Sequence, residues 1–216
     1  MNPQGWKFCV AAVVFVCQLA AVGAAGEIQA PAIEWERSYG GSSGDFARAI
    51  QQTADGGYIV VGFSHSQDGD VTENHGKFDF WIVKLNLKGN IVWQKSLGGS
   101  RADTAHSVQQ TTDGGYIVAG YSNSDDGDVS GHRGMYDYWV IKLDAEGNLI
   151  WQRTLGGKGM DMATSVQQTK DGGYIAIGFS YSDDGDVSGN HGDSDYWVVK
   201  LNGEGDIIWQ KSLGGS

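Results

Sequence analysis

The chain has 216 residues and a formal net charge of −11, with 26 acidic side chains against 15 lysines and arginines. A strongly acidic chain without a basic cluster argues against nucleic acid and anionic membrane surfaces as partners, and it leaves cations and neutral glycans as compatible ligands. Hydrophobic residues make up 40% of the chain, which is typical of a globular protein and argues against disorder despite the 34 glycines.

The first 25 residues have the layout of a secretory signal peptide. A short polar start containing Lys7 precedes the apolar run 8–19, and small residues follow at 20–26, where cleavage is expected. The run is too short for a comfortable membrane span, and a retained N-terminal anchor is the alternative. Both cysteines, Cys9 and Cys17, lie in this segment. We therefore predict a signal peptide over 1–25 and a secreted or extracytoplasmic mature protein, without disulfides and without membrane insertion.

A repeat organises the rest of the chain. The sequence Asp-Gly-Gly-Tyr-Ile begins at Asp55, Asp113 and Asp171, each copy 58 residues after the last. Two tryptophan series recur at the same step: Trp81, Trp139 and Trp197, and Trp35, Trp93, Trp151 and Trp209. Similarity at a fixed step of this length indicates a repeat architecture.

Each repeat predicts four β-strands. In the middle repeat, a strand over 105–111 ends near Asp113-Gly114, a dipeptide that favours a hairpin with a type I′ turn. The apolar strand Tyr116–Ser122 follows, then a polar loop, a strand over 138–143, a turn and the strand Leu149–Leu155. Several strands are apolar on both faces and no proline lies inside the repeats, which is typical of sheets covered on both sides.

The sequence therefore predicts an all-β chain, a β-propeller-type repeat of four-stranded antiparallel blades. Blades are expected at about 45–98, 103–156 and 161–214, within a propeller region over 33–216. A β-solenoid is the alternative, but its rungs are usually far shorter.

The predicted blade count does not close a ring. Residues 33–41 repeat the outer-strand sequence, so a lone outer strand is expected there before three full blades. Known propellers have about four or more blades. Either the chain is a fragment of a longer product, which we favour, or copies self-associate through open blade faces.

These repeats resemble a known family. The runs Asp-Gly-Gly-Tyr-Ile-Val-Ala-Gly-Tyr-Ser, Asp-Tyr-Trp-Val-Ile-Lys-Leu-Asp and Gly-Asn-Leu-Ile-Trp-Gln-Arg-Thr-Leu-Gly-Gly are similar to the secreted β-propeller repeats of bacterial and archaeal surface proteins. The step from Gly147 to Trp151 also resembles the tryptophan-docking turn of quinoprotein-type propellers, in which the indole packs one blade onto the next. Glu146 stands where that pattern has threonine, so no quinone cofactor is implied. The resemblance implies a scaffold with a surface or binding role and no shared catalytic residues.

The loop between the second and third strands has the spacing of a calcium loop. Asp126, Asp128 and Ser130 hold positions 1, 3 and 5, Gly131 holds position 6 and Asp137 holds position 12. The equivalent residues of the other blades are Asp184, Asp186, Ser188, Asp195, Asp68, Asp70, Thr72 and Asp79, with Glu73 in place of the glycine. We predict Ca²⁺ at these loops; an ordinary solvated turn is the alternative, since any polar turn contains Asp, Gly and Ser.

The sequence gives no anchor for catalysis. Near-identical repeats argue against an active site, which breaks symmetry. Trp81, Trp139 and Trp197 are expected in the core, with a sugar-stacking platform as the alternative. We predict an exported, non-enzymatic module that binds protein or glycan on the face carrying the Asp-rich and Gly-Gly loops. An extracellular glycan-active or quinoprotein-like enzyme and a purely structural repeat are the alternatives.

Overall fold

The computed structural model describes residues 31–215 and contains no helix within them. Runs rich in β-branched and aromatic residues, which favour a pleated and half-buried backbone, form twelve strands. They are β1 (Asp45–Gln52), β2 (Tyr58–Ser64), β3 (Asp79–Leu85), β4 (Ile91–Leu97), β5 (Asp103–Gln110), β6 (Tyr116–Ser122), β7 (Asp137–Leu143), β8 (Leu149–Leu155), β9 (Asp161–Gln168), β10 (Tyr174–Ser180), β11 (Asp195–Leu201) and β12 (Ile207–Leu213).

The strands form three four-stranded antiparallel sheets in which each strand pairs with its neighbour in sequence. The orders are β1-β2-β3-β4, β5-β6-β7-β8 and β9-β10-β11-β12. The register repeats as well: Gly62 faces Trp81 in the first sheet, as Gly120 faces Trp139 in the second. Each sheet is therefore a copy of one blade.

The hairpin between the first two strands of a blade is not the predicted type I′ turn. Thr111 N–H donates to Gly115 O (2.9 Å), and Gly114 has a φ of +85° whereas Asp113 is not in the positive-φ region. The Asp113 Oδ1 atom instead accepts the Gly115 N–H (3.0 Å). The aspartate thus closes the turn with its side chain, so only one residue needs a left-handed backbone.

The sheets pack face to face through apolar side chains. One core joins Ile59, Val61 and Phe80 of the first blade to Val118 and Trp139 of the second, and an equivalent core joins the second blade to the third. Strands β3 and β7 are buried along their whole length, as expected for sheets covered on both faces. The first strands of neighbouring blades also contact each other, which places β1, β5 and β9 on the inner side of the stack.

Residues 33–41 do not form the lone outer strand that their sequence predicts, since no strand is assigned before Asp45. A strand needs a hydrogen-bonded neighbour, and no blade of its own lies beside this segment within the described residues. Its side chains nevertheless pack on the first blade. The Trp35 ring lies 5.9 Å from the Tyr58 ring in an edge-on contact, and the Tyr39 hydroxyl donates to Gly89 O (2.5 Å).

The predicted fold class is confirmed: the chain has antiparallel four-stranded blades of the propeller type, and the three sheets do not close a ring within residues 31–215. The predicted signal peptide, with Cys9 and Cys17, lies outside the described residues. No helix in the described range could cross a bilayer.

Candidate binding face

The Asp-rich loops and the Gly-Gly loops lie together at one end of the blades. Asp128 N–H donates to Gly98 O (2.9 Å), and Gly98 N–H donates back to Asp128 Oδ2 (3.1 Å). Asp186 and Gly156 repeat this two-way pairing at the next boundary (3.0 and 3.2 Å). The loop of one blade is thus tied to the loop that leaves the outer strand of the preceding blade.

The first aspartate of each loop makes a second bond of the same kind. Asp126 Oδ1 accepts the Ser100 N–H (2.7 Å), and this bond is the main reason that the pKa of Asp126 is lowered. The equivalent bonds join Asp184 to Lys158 N–H (2.8 Å) and Asp68 to Ser42 N–H (2.6 Å), while Asp70 accepts the Gly40 N–H (3.0 Å). We call each set of bonds between an Asp-rich loop and a Gly-Gly loop the inter-blade clasp.

The hydroxyl at position 5 of each loop binds a glutamine of the outer strand. Ser130 Oγ accepts from Gln152 Nε2 (2.6 Å), and Gln152 Oε1 accepts the indole N–H of Trp139 (3.0 Å). Thr72 and Ser188 meet Gln94 and Gln210 in the same way. These hydroxyls therefore help to fix the core tryptophan of their own blade.

The carboxylate at position 12 begins the third strand and is buried. Asp137 Oδ2 accepts the Arg133 N–H (2.7 Å), as Asp79 Oδ2 accepts from His75 (2.7 Å) and Asp195 Oδ2 from His191 (2.9 Å). Burial is the largest effect on Asp79 and Asp137 and raises the pKa of both carboxyls. In Asp195 the hydrogen bond from His191 dominates and lowers the pKa.

The predicted calcium ligands of each loop therefore make three kinds of contact: with a Gly-Gly loop, with an outer-strand glutamine and with the main chain of their own loop. They are not gathered around one point. Within residues 31–215, no group of three or more His, Cys, Asp or Glu side chains is placed to hold a metal ion. Calcium binding at these loops stays a prediction.

A second row of buried aspartates was missed by the sequence reasoning. Asp103 begins β5, and its Oδ2 accepts the Gly99 N–H (2.8 Å) and the Ser124 hydroxyl (3.0 Å). Asp161 makes the same two bonds with Gly157 and Ser182 (2.8 Å each). The recurrence of aspartate at 45, 103 and 161 at the 58-residue step was the available signal.

The two rows meet beside the first glycine of each Gly-Gly loop. A Cβ atom added to Gly98 would lie 2.7 Å from Asp103 Oδ2 and 2.8 Å from Asp79 Oδ1, an oxygen that is buried and has no hydrogen-bond partner. Gly156 stands in the same way between Asp161 Oδ2 (2.5 Å) and Asp137 Oδ1 (2.9 Å). Each blade boundary thus encloses two carboxyls that face each other. Both members of each pair are inaccessible to solvent, so they offer no surface to a substrate.

The two boundaries differ in the cation beside the pair. At the first boundary, the His75 ring lies 2.7 Å from Asp79 Oδ2. At the second, the His132 ring lies 3.3 Å from Asp137 Oδ2, and the guanidinium of Arg133, the sequence counterpart of His75, bonds Gly156 O (3.2 Å) and Asp186. Each pair therefore has a histidine beside it, and the second also has an arginine nearby.

The tryptophans have structural roles. Trp81, Trp139 and Trp197 are buried in the core, as predicted. The outer-strand series packs onto the next blade: a Cβ on Gly147 would lie 2.9 Å from the Trp93 ring, and one on Gly205 would lie 3.0 Å from the Trp151 ring. The expected tryptophan-docking contact is therefore present.

The loop end of the first blade carries a cluster of aromatic side chains that the sequence reasoning did not single out. Phe46 and Phe63 stack at 4.8 Å, and Phe78 lies 5.5 Å from Phe63 and 3.8 Å from the His65 ring. The Arg48 guanidinium lies over Phe63 at 5.3 Å. These side chains are half-buried or exposed, unlike the core tryptophans.

Related clusters lie at the same end of the other two blades. Tyr121 contacts His106 (5.2 Å) and Tyr136 (5.3 Å) in the second blade, and Phe179 contacts Tyr181 (6.1 Å) in the third. Burial lowers the pKa of His106, with the nearby Arg48 adding to the shift. We call the three clusters the aromatic row; its membership is Phe46, Phe63, His65, Phe78, His106, Tyr121, Tyr136, Phe179 and Tyr181.

The aromatic row differs from blade to blade, whereas the clasp does not. Positions 65, 123 and 181 hold histidine, asparagine and tyrosine, and positions 78, 136 and 194 hold phenylalanine, tyrosine and serine. Aromatic recurrence at 63, 121 and 179 could have revealed the row. Half-exposed rings with polar edges are suited to hold a ligand that has both apolar faces and hydroxyls.

Comparison with known proteins does not assign a family. No protein-family model and no curated protein matches the chain. Among solved structures, the chain is similar to three variants of apocarotenoid oxygenase from Synechocystis, at 13%, 14% and 15% identity and TM-scores of 0.44, 0.41 and 0.42. The matches cover 80%, 79% and 77% of this chain but only 40%, 40% and 38% of those proteins. At TM-scores below 0.5, this similarity supports no inference about activity.

Proposed function

We propose that the chain is an exported, non-enzymatic β-propeller-repeat scaffold that binds a ligand at its loop end. Such a binding role is the one implied by the resemblance to secreted surface proteins. The observation that supports this proposal most is that the repeated side chains and the side chains that vary between blades have different roles. The repeated aspartates, serines and glutamines are engaged in holding the blades, while the side chains that vary between blades form the aromatic row.

Of the two predicted ligand classes, protein and glycan, the aromatic row favours a neutral glycan. The C–H faces of a pyranose stack on aromatic rings, and its hydroxyls bind polar edges such as those of Tyr121, Tyr136 and His65. The net charge of −11 disfavours acidic polysaccharides. A protein ligand would use the same surface.

The test is a binding screen of the full chain against neutral and acidic oligosaccharides, followed by calorimetry of each hit. Tyr181, which is 50% exposed, offers the sharpest variant. Tyr181→Ala should weaken binding about tenfold, the equivalent of about 1.4 kcal/mol. Ile150→Ala, an equally exposed change on the outer strand β8, is the matched control and should bind as the parent does.

Two results would contradict the proposal. Binding that survives Tyr181→Ala and Tyr121→Ala together would move the site away from the aromatic row. Release of reducing ends from any bound glycan would show an enzyme, which is the alternative from the other functional class.

A further inference from the structure

The two blade boundaries inside the chain show how one blade recognises the next. Phe80 of the first blade is fully buried against Trp139 of the second, with ring centroids 4.4 Å apart. Tyr138 is buried in the same way against Trp197 (4.7 Å), and its hydroxyl donates to Trp197 O (3.0 Å). An aromatic side chain at this position of the third strand thus enters a pocket formed by the core tryptophan of the following blade.

The third blade presents the same aromatic side chain without a pocket around it. Tyr196 holds the position of Phe80 and Tyr138, 58 residues after the latter, and is 74% exposed. Ile177, on the same face, is also exposed. This face of the third blade therefore has the residues that a following blade would cover.

The first blade presents the matching pocket, and within the described residues no aromatic side chain of a neighbouring third strand enters it. A depression over its opposite face is lined by Trp81, Gly62, Val60, Val83 and Tyr39, among others. In the third blade the equivalent glycine, Gly178, is the residue that leaves room for the Tyr138 hydroxyl, since a Cβ there would lie 2.7 Å from that oxygen. Gly62 provides the same room beside Trp81.

We propose that Tyr196 of one copy enters the Trp81 pocket of a second copy, so that the third blade of one chain stacks on the first blade of the other. The Tyr196 hydroxyl would bond the main-chain oxygen of Trp81, as Tyr138 bonds that of Trp197. Because each copy carries one such side chain and one such pocket, the contact is head-to-tail. Two copies bring six described blades together, within the range of about four to eight that closed propellers use, whereas three copies would exceed it.

The N-terminal segment occupies part of the same interface. Trp35 lies on Gly89, where a Cβ would be 2.9 Å from its ring, as Trp93 lies on Gly147 at the next boundary. Trp209, the outer-strand tryptophan of the third blade, is 44% exposed. Stacking of a second copy therefore exchanges Trp35 for the Trp209 of that copy on Gly89.

The test is sedimentation velocity of the full chain over a range of concentrations, under reducing conditions so that Cys9 and Cys17 cannot link copies. The parent should sediment at the mass of two copies. Tyr196→Ser should weaken the dimer about tenfold or more, because it removes the buried ring. Tyr196→Phe should retain the dimer, since Phe80 fills this position at the first boundary.

A matched control is available on the same blade. Ile208→Ser changes a side chain that is 56% exposed, and its counterparts Val92 and Ile150 remain exposed at the boundaries inside the chain. It should therefore leave the dimer intact. Circular dichroism establishes that each variant is folded; because Tyr196 is 74% exposed, the change removes little packing within the described residues.

A parent that stays monomeric, or a dimer that survives Tyr196→Ser, overturns the proposal. Trp35→Ala gives an independent check, because it vacates Gly89 and should tighten the dimer. Weaker association of that variant would show that the N-terminal segment is part of the interface, and it would overturn the exchange.

Discussion

Glu73 shows how a single residue can depart from its repeat at a cost. It is the only residue other than glycine with a positive φ (+67°) in the described part of the chain, and its counterparts are Gly131 (+85°) and Gly189 (+78°). A side chain in the left-handed region crowds the following carbonyl oxygen. Glu73, which replaces the glycine of the predicted calcium loop in the first blade, is thus a point of backbone strain.

Replacement of Glu73 by glycine should relieve that strain. We expect Glu73→Gly to raise the free energy of unfolding by up to about 1 kcal/mol, the balance of relieved strain and the added freedom of glycine in the unfolded chain. The converse change, Gly189→Ala, should cost about 1 kcal/mol, because a Cβ there meets nothing within 4 Å and only the backbone is strained. Urea unfolding measures both. A loss of stability in Glu73→Gly would contradict this account.

Asp79 is a second residue whose effect can be isolated. Burial raises the pKa of Asp79 and of Asp103, and in Asp103 the charge of Asp79 adds to the shift. A carboxyl whose pKa is raised by folding stabilises the folded state below its unfolded pKa of about 4, and this stabilisation is lost as the pH rises through the folded value. At neutral pH the two facing carboxylates therefore destabilise the first boundary.

Asp79→Asn should stabilise the protein at neutral pH by about 1 kcal/mol, since it removes one buried charge and places an amide donor opposite Asp103. The gain should shrink toward pH 4, where the parent carboxyl takes up a proton. Thermal unfolding at several pH values measures this. Asp195→Asn is the matched control: there the hydrogen bond from His191 lowers the pKa, so the change should not stabilise. A gain for Asp79→Asn that does not vary with pH would rule out the charge as its cause.

At the scale of loops and strands, the inter-blade clasp explains what the sequence could and could not predict. The 58-residue step predicted the four-stranded blades because local turns and apolar alternation are read within one repeat. The loop chemistry was not predictable, because the partner of Asp128 is Gly98, which belongs to the preceding repeat. Aspartates at alternate positions have the same sequence spacing whether their carboxylates accept hydrogen bonds from backbone N–H groups or bind a cation.

The strand Leu149–Leu155 and the segment 33–41 illustrate a related limit. Their sequences are similar, yet only the first forms a ladder, because the second has no neighbouring strand. The aromatic row escaped prediction for another reason. Half-buried rings such as Phe63 and Tyr121 have the alternating pattern of ordinary strand residues, and only packing shows that their edges are open.

Variants of Asp126 separate the clasp from the predicted calcium site. Asp126→Ala removes the acceptor of the Ser100 N–H and should lower the unfolding midpoint, whereas Asp126→Asn keeps an acceptor oxygen and should lower it less. Both midpoints are measured in calcium and in EDTA. Calcium at 100 times its dissociation constant would add about 2.7 kcal/mol to the parent. A rise in the parent that is lost in Asp126→Asn would support ion binding, and equal midpoints in calcium and EDTA would contradict it.

The lowered pKa of Asp126 adds a pH dependence of opposite sign to that of Asp79. Its bond to the Ser100 N–H favours the ionised carboxylate, so its contribution is present above pH 4 and is lost as the pH falls through the lowered value. Equal stability of Asp126→Asn and the parent at every pH would show that this charge has no role in the clasp.

At the scale of the whole molecule, the main contacts between blades within residues 31–215 join neighbouring blades, so stability is approximately a sum of blade and boundary contributions. Core side chains of the middle blade are covered on both faces, whereas the third blade exposes Ile177, Tyr196 and Trp209. We therefore expect the end blades to exchange amide hydrogens before β6 and β7 do. The predicted dimer should remove this difference, because it gives every blade two neighbours.

The inter-blade clasp also bears on how such an array changes during evolution. Its donors include main-chain N–H groups at Gly98, Ser100, Gly156 and Lys158, so these bonds form with either serine or lysine after the glycine pair, although the Lys158 ammonium adds an ion pair with Asp184 (3.0 Å). Each 58-residue unit carries an Asp-rich loop, which bonds to the preceding unit, and a Gly-Gly loop at its end, which bonds to the following unit. Unequal recombination between repeats could therefore add or delete a whole unit and restore a complete junction each time. In the aromatic row, Phe78 and Tyr136 bond to the next blade through their main chains, so the side chains of the row are left free to diverge toward a new ligand.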